Sequence, residues 1–174
     1  LFDSVVHAFG TAGTGGFGIK NTSVGAYSSP AIDMVIAVFM VVFGVNFNVY
    51  FLLLIRKLRT ALFNEELRWY LGIVGFATVT IAYNLRSVYN SVAECFRYSF
   101  FQVASIISTT GYSTADFDKW PEYSKMMLIL VMFIGACAGS TAGGLKVSRV
   151  IILLKSSVVE IKHMLHPRSY NVVR

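Results

Sequence analysis

Charge is scarce in this chain: 14% of its 174 residues are Asp, Glu, Lys or Arg, where roughly 25% is usual for a soluble domain. Apolar side chains make up 55% and mean hydropathy is +0.62, which sets the chain among membrane proteins and against a soluble fold. Only two cysteines occur, Cys95 and Cys137, in neither metal-ligand nor redox spacing, so both read as free thiols used as small apolar residues. His7, His163 and His166 are too scattered for a metal site or a catalytic constellation. An embedded enzyme would need a cluster of acids, histidines or nucleophiles inside its spans, and Asp33 is the sole intramembrane candidate. Nucleotide and hydrolase motifs are also missing. Gly139-x4-Gly144 opens like a phosphate-binding loop, but Leu145 precedes Lys146 and Val147 follows it. Ser140 lacks a Gly-x-Ser-x-Gly frame. No initiator methionine or signal peptide is visible, and an internal fragment of a longer protein is expected.

What is present is a series of apolar runs of unequal length. Residues 1–13 form a helix too short to span, because a span takes about 20 residues. A glycine-rich loop, Thr14 to Gly18, follows. Pro30 and Asp33 then open a long apolar run to about Ile55, stopped by Arg56, Lys57 and Arg59. A second span runs from near Trp69 to about Tyr83. Residues 96–108 are again short and apolar and end in the loop Thr109 to Ser113, after which Pro121 and Glu122 open a run to about Ala138. That run breaks at Gly139–Gly144. Beyond the break, Val147, Ile151, Leu154, Val158, Ile161 and Leu165 form one helical stripe.

The chain repeats itself at an offset of 95 (109 − 14). Thr14-Gly15-Gly16-Phe17-Gly18 then falls on Thr109-Thr110-Gly111-Tyr112-Ser113, and Gly44 falls on Gly139. The order short helix, loop, proline-started long helix occurs twice, which argues for pseudo-symmetry. Two units are expected: 1–60, a pore loop and second helix, and 61–174, a complete following repeat with a broken second helix and a tail. Arg56, Lys57, Arg59 and Arg68 in one link, and Lys146, Arg149, Lys155, Lys162, Arg168 and Arg174 in the tail, put those segments in the cytoplasm. The net charge of +6 is thereby explained without nucleic acid. Asp116, Asp118 and Glu122 suit the outside, so both glycine loops face outward.

Each loop reads Thr-x-Gly-aromatic-small. A potassium filter replaces the ion's water with backbone carbonyls, and aiming successive carbonyls at one axis needs angles that glycine adopts cheaply, the role given to Gly16 and Gly111. Thr14, Gly15, Gly16 and Phe17, with Thr109, Thr110, Gly111 and Tyr112, are the candidate ion-coordinating residues. The short helices would aim their negative ends at the cation. The break at Gly139, Ser140, Thr141, Ala142, Gly143, Gly144 and Lys146 reads either as a packing kink or as an unwound intramembrane gate under the filter. Lys146 either snorkels to the surface or points into the pore. Asn46 and Asn48, mid-span, either bond between helices or line the cavity.

Together these residues resemble the Trk/Ktr potassium-uptake family. The likeness runs from His7-Ala8-Phe9 through Thr14-Gly15-Gly16-Phe17, and from Ser108-Thr109-Thr110-Gly111-Tyr112 to Asp118-Lys119-Trp120-Pro121. Its most specific part is Phe133 to Lys146, and His166-Pro167-Arg168 also fits. The resemblance implies an all-α integral membrane protein of helix–pore loop–helix repeats around a central ion pore, four in the family. This chain would hold most of repeat two and all of repeat three, with residues 139–146 as the gating loop. It further implies K+ as the transported ion, no resident cofactor, a homodimer of pore subunits, a cytoplasmic ring of nucleotide-binding regulatory subunits, and a multi-pass place in the cell membrane's lipid bilayer. A two-pore-domain potassium channel, a membrane scaffold and an embedded enzyme are the competing readings.

Overall fold

The computed structural model describes residues 1–165, so the His166-Pro167-Arg168 match lies outside the described residues. The described chain is helical: α1 (Phe2–Ala12), α2 (Pro30–Phe43), α3 (Phe47–Leu54), α4 (Leu58–Leu62), α5 (Glu65–Asn84), α6 (Val92–Ile107), α7 (Glu122–Phe133) and α8 (Val147–Leu165). Among the described residues the one β pairing is an isolated bridge between Ile134 and Leu145.

Local chemistry sets most of these boundaries. Pro30 stands in the first turn of α2 behind an extended Ser29, where its missing N–H leaves no helical bond unmade. Asn64 caps α5 by accepting a hydrogen bond from Leu67 N at 3.1 Å, with Glu65 and Glu66 against the positive end of the helix. α5 therefore starts four residues before Trp69. α6 likewise begins at Val92, ahead of the apolar stretch from 96.

Two of the expected long runs are broken. The run from Pro30 to Ile55 is not one span: α2 and α3 meet at 90° across Gly44, Val45 and Asn46. Asn46 starts the new helix, its side chain accepting from Asn48 N at 2.9 Å. Gly44 lies so close to Tyr70 that an added Cβ would come within 2.3 Å of the phenol oxygen. The run from Pro121 likewise stops at Phe133, not Ala138, and the unwound segment is longer than the glycine cluster, reaching from Ile134 to Lys146. Among the described residues no single helix is long and apolar enough to cross a membrane; the bent pair α2–α3 passes that test jointly.

α5 is the central post, packed on α6 and α7, while α2 crosses onto α6. The second helix of the first repeat is thus seated on the short helix of the next. An apolar core of residues such as Tyr70, Ile81, Phe101 and Ile107 is joined by buried hydroxyls, and large apolar side chains also cover the outside. Phe76, Val79, Met132, Phe133 and Leu154 are exposed, whereas Ser99, Ser105, Ser108 and Ser124 are fully buried. Large outward apolar surface suits a lipid-facing exterior. Asp33, the lone acid of the enzyme reading, is buried and paired with Arg97 of α6 at 3.7 Å.

Candidate ion-conduction site

α1 and α6 end in loops that match bond for bond at the offset of 95. Gly13 N donates to Phe9 O at 2.8 Å and Ser108 N to Ala104 O at 3.1 Å; Thr14 N to Thr11 O at 3.3 Å and Thr109 N to Ile106 O at 3.0 Å. Gly15 N and Gly16 N both donate to Gly10 O, at 2.9 and 3.4 Å, as Thr110 N and Gly111 N do to Ser105 O, at 3.0 and 3.4 Å. The backbone angles repeat as well. Thr14 and Thr109 have φ of 49° and 56°, and Gly16 and Gly111 have φ of 65° and 88°. Left-handed backbone is cheap for glycine and costly for a β-branched residue, so two threonines held there are strained at equivalent points. The amide groups turn back to the helix ends, and those ends carry the negative pole of each helix toward the loops.

The loops also touch each other. An added Cβ on Gly16 would lie 1.8 Å from the Thr110 carbonyl oxygen, so the two strands are neighbours in contact. The Tyr112 hydroxyl donates to Phe17 O at 3.1 Å, tying one loop to its counterpart. Tyr112 O in turn accepts from the Ser105 hydroxyl at 2.6 Å, and Ser108 and Thr110 share a hydroxyl pair at 2.7 Å. Gly111 has open space where a Cβ would be.

Against the threonine ends of both loops lies the segment 134–146. It doubles back on itself: Gly135 N donates to Leu145 O at 2.8 Å and Val147 N to Ala136 O at 3.2 Å. Its tip reaches both loops at once. Thr14 Oγ1 donates to Thr141 O at 3.0 Å, and Thr109 Oγ1 accepts from Gly143 N at 2.7 Å. The half-buried Lys146 gives its ammonium to the Ala142 carbonyl within the same segment.

The predicted residues Thr14, Gly16, Thr109, Thr110, Tyr112, Thr141 and Gly143 therefore come together, with Phe17 joined through its carbonyl. The Phe17 side chain points away, and Gly139 faces the α2–α3 break, where its Cβ would be 3.2 Å from Asn46 Oδ1. Asn46 also bonds between elements, Nδ2 donating to Glu66 Oε2 at 3.3 Å. Asn48 is exposed and offers its backbone N–H to Asn46. Three contributors escaped the sequence reading: Glu66, Ser105 and Gly10, whose missing side chain leaves room for the Tyr112 hydroxyl. Gly10 and Ser105 were findable, since they are equivalent at the offset of 95. Glu66 carries no such signal, because its partners are 20 and 72 residues away.

Two matching loops after short helices, with an unwound segment bonded to a threonine of each, sit in an all-helical chain with an apolar exterior, the class of a helical membrane protein. Residues 1–174 match the family model described as TrkH, cation transport protein, and the chain belongs to that family. It is 36% identical over 171 residues to the Trk system potassium uptake protein TrkH of Escherichia coli (strain K12), covering 97% of this chain and 35% of that protein. The corresponding protein of Halomonas elongata is 33% identical over 176 residues, covering 99% and 36%. The crystal structure of the potassium transporter TrkH from Vibrio parahaemolyticus superposes with a TM-score of 0.93 at 31% identity, covering 99% of this chain and 38% of that one. The chain thus spans about a third of the length of the curated relatives it matches. Its fold is all-α and belongs to a membrane transporter.

Proposed function

We propose that the chain supplies two neighbouring strands of a potassium filter, and that the protein it belongs to takes up K+ through it. The observation that carries this reading is the bond-for-bond repetition of loops 14–17 and 109–112, with strained threonines and left-handed glycines at equivalent places. The relatives' names support K+ as the cargo. Carbonyls of Thr14, Gly15 and Gly16, and of Thr109, Thr110 and Gly111, replace the ion's water. Those of Phe17 and Tyr112 already accept hydroxyls of the wall and set the width of the outer end. The open side at Gly111 takes a further strand, supplied with the remaining one from outside this chain. Segment 139–146, bonded to both filter threonines, closes the inner side as a gate. The protein sits in the cell membrane as a multi-pass homodimer, its filter loops outward. Its basic cytoplasmic segments dock a ring of nucleotide-binding regulatory subunits.

The test is K+ uptake by the whole protein in cells lacking their own potassium transporters. Wild type rescues growth at low potassium, Gly111→Ser loses selectivity, and deletion of Gly139–Gly144 raises flux. A wild type that moves no potassium, with Gly111→Ser without effect, would mean that these loops are merely turns.

A further inference from the structure

The first turn of α5 carries two adjacent acids with different tasks. Glu65 bonds Lys155 of α8 at 2.8 Å. Glu66 is half-buried and turns to the two unwound segments. One of its oxygens accepts from Ala138 N at 2.6 Å, the other from Asn46 Nδ2 at 3.3 Å. Those segments are equivalents under the repeat, since Gly44 and Gly139 are 95 apart, and they are also bonded directly. Cys137 N donates to Gly44 O and Phe47 N to Gly139 O, each at 3.1 Å. The single carboxylate therefore sits over the crossing of both broken helices, on a helix whose own first turn favours a negative charge there.

We infer that Glu66 is the latch of the intramembrane loop: a positioning residue whose carboxylate holds the loop's root at Ala138, and through it the tip at Thr141 and Gly143, against the filter threonines. This rests on the gate reading given above. Ala138 is the last residue before left-handed Gly139, whose φ is 66°, so a bond at its amide fixes the unwound segment to α5 just where its backbone turns toward the tip. The amide is an unwound-backbone donor that must find an acceptor where water is scarce. A carboxylate is the strongest acceptor a side chain can offer it. When that bond opens, the loop loses its anchor on α5 while the filter keeps every bond of its own. Glu66 thus separates closing the pore from selecting the ion.

The experiment compares wild type, Glu66→Ala, Glu66→Gln and the Gly139–Gly144 deletion in the whole protein, reconstituted in liposomes. Rb+ flux is read without any regulatory partner, alongside K+-over-Na+ preference. Glu66→Ala is expected to raise the unstimulated flux about tenfold, the scale of losing one charge-assisted hydrogen bond from an open–closed equilibrium, with the ion preference unchanged. Glu66→Gln keeps an acceptor and its volume, and should fall between wild type and alanine. Amide hydrogen exchange across 134–146 should speed up in the same order. If the deletion raises flux while both Glu66 variants behave as wild type, the latch is wrong and the gate stands. If the deletion also leaves flux unchanged, the gate reading itself fails. Should Glu66→Ala not insert, the glutamine variant decides: wild-type flux and wild-type exchange would overturn the latch.

Discussion

Phe17 and Tyr112 stand at equivalent places, 95 residues apart, at the ends of two loops with matching backbones, yet Phe17 is 78% exposed and Tyr112 is 0% exposed. Tyr112 lies between the strands and gives its hydroxyl to Phe17 O, whereas the Phe17 ring points out of the fold. The glycines differ in the opposite sense: Gly16 presses on the Thr110 carbonyl, and Gly111 faces open space. The loops share one local design and differ in who stands beside them. At the aromatic position loop 109–113 is buried against its predecessor and loop 14–18 is open, while at the glycine the order is reversed. Under the filter reading proposed above, this asymmetry suits two successive strands of a ring.

The comparison can be broken at its glycines, where the largest effect is expected. Gly16→Ala puts a Cβ into the Thr110 carbonyl and forces a side chain onto left-handed backbone, itself a cost of about 1–2 kcal/mol, so K+ uptake by the whole protein should be lost. Gly111→Ala adds only the backbone strain within this chain. Equal loss from both, in the low-potassium growth assay, would show that a further strand stands against Gly111. A clearly milder Gly111→Ala would show that the space is real.

The threonines offer a smaller effect with a built-in asymmetry. Thr109→Val leaves the Gly143 amide without its acceptor, whereas Thr14→Val removes a hydroxyl donor shared between the Gly13 and Thr141 carbonyls. An unmade donor costs more, roughly 1 kcal/mol here because Gly143 is exposed. Unstimulated Rb+ flux should therefore rise more in Thr109→Val than in Thr14→Val, and the reverse order would mean that Thr14 is the main seat of the loop. Of similar size is Tyr112→Phe, which removes one hydroxyl bond worth about 1 kcal/mol. It should lower K+-over-Na+ preference several-fold, while Phe17→Tyr leaves that preference as it was. The smallest effect lies outside the filter, at Glu65. The Lys155 ammonium bonded to it, above all, holds the Glu65 carboxyl below its ordinary value, against a weaker opposing effect of burial. A lowered folded-state value means that this tie is complete above the ordinary carboxylate range and is lost as pH falls through the folded value. Hydrogen exchange in α8 around Lys155, corrected for intrinsic rate, should be flat near neutral pH and rise only in acid below about pH 4.

Much of the fold is legible because its signals are local. Pro30 and Asp33 start α2, short α1 and α6 end at glycine loops, and the offset of 95 aligns two threonines and two glycines whose angles then coincide. The α2–α3 break was missed, although Gly44 falls on Gly139 and a break at one is a signal for a break at the other. It was hidden by an unbroken run of apolar side chains, since hydropathy records what a residue is transferred into and not the path of its backbone. Ile134 to Ala138 looked helical for the same reason. They unwind because Gly135 N, Cys137 N and Ala138 N find partners in Leu145, Gly44 and Glu66 instead of in the preceding turn.

By itself the sequence determined that this is an apolar, helical chain with two copies of a glycine-bearing loop, because composition, helix starts and left-handed backbone are properties of short stretches. Only the tertiary structure decided which atoms meet: Tyr112 with Phe17, Gly16 with Thr110, Thr141 and Gly143 with the two threonines, and Glu66 with both breaks. Those pairings join residues up to 127 positions apart. They form because backbone groups unwound away from water must be satisfied by whatever the packing of α2, α5 and α6 brings within reach, and no pattern along the chain encodes that distance.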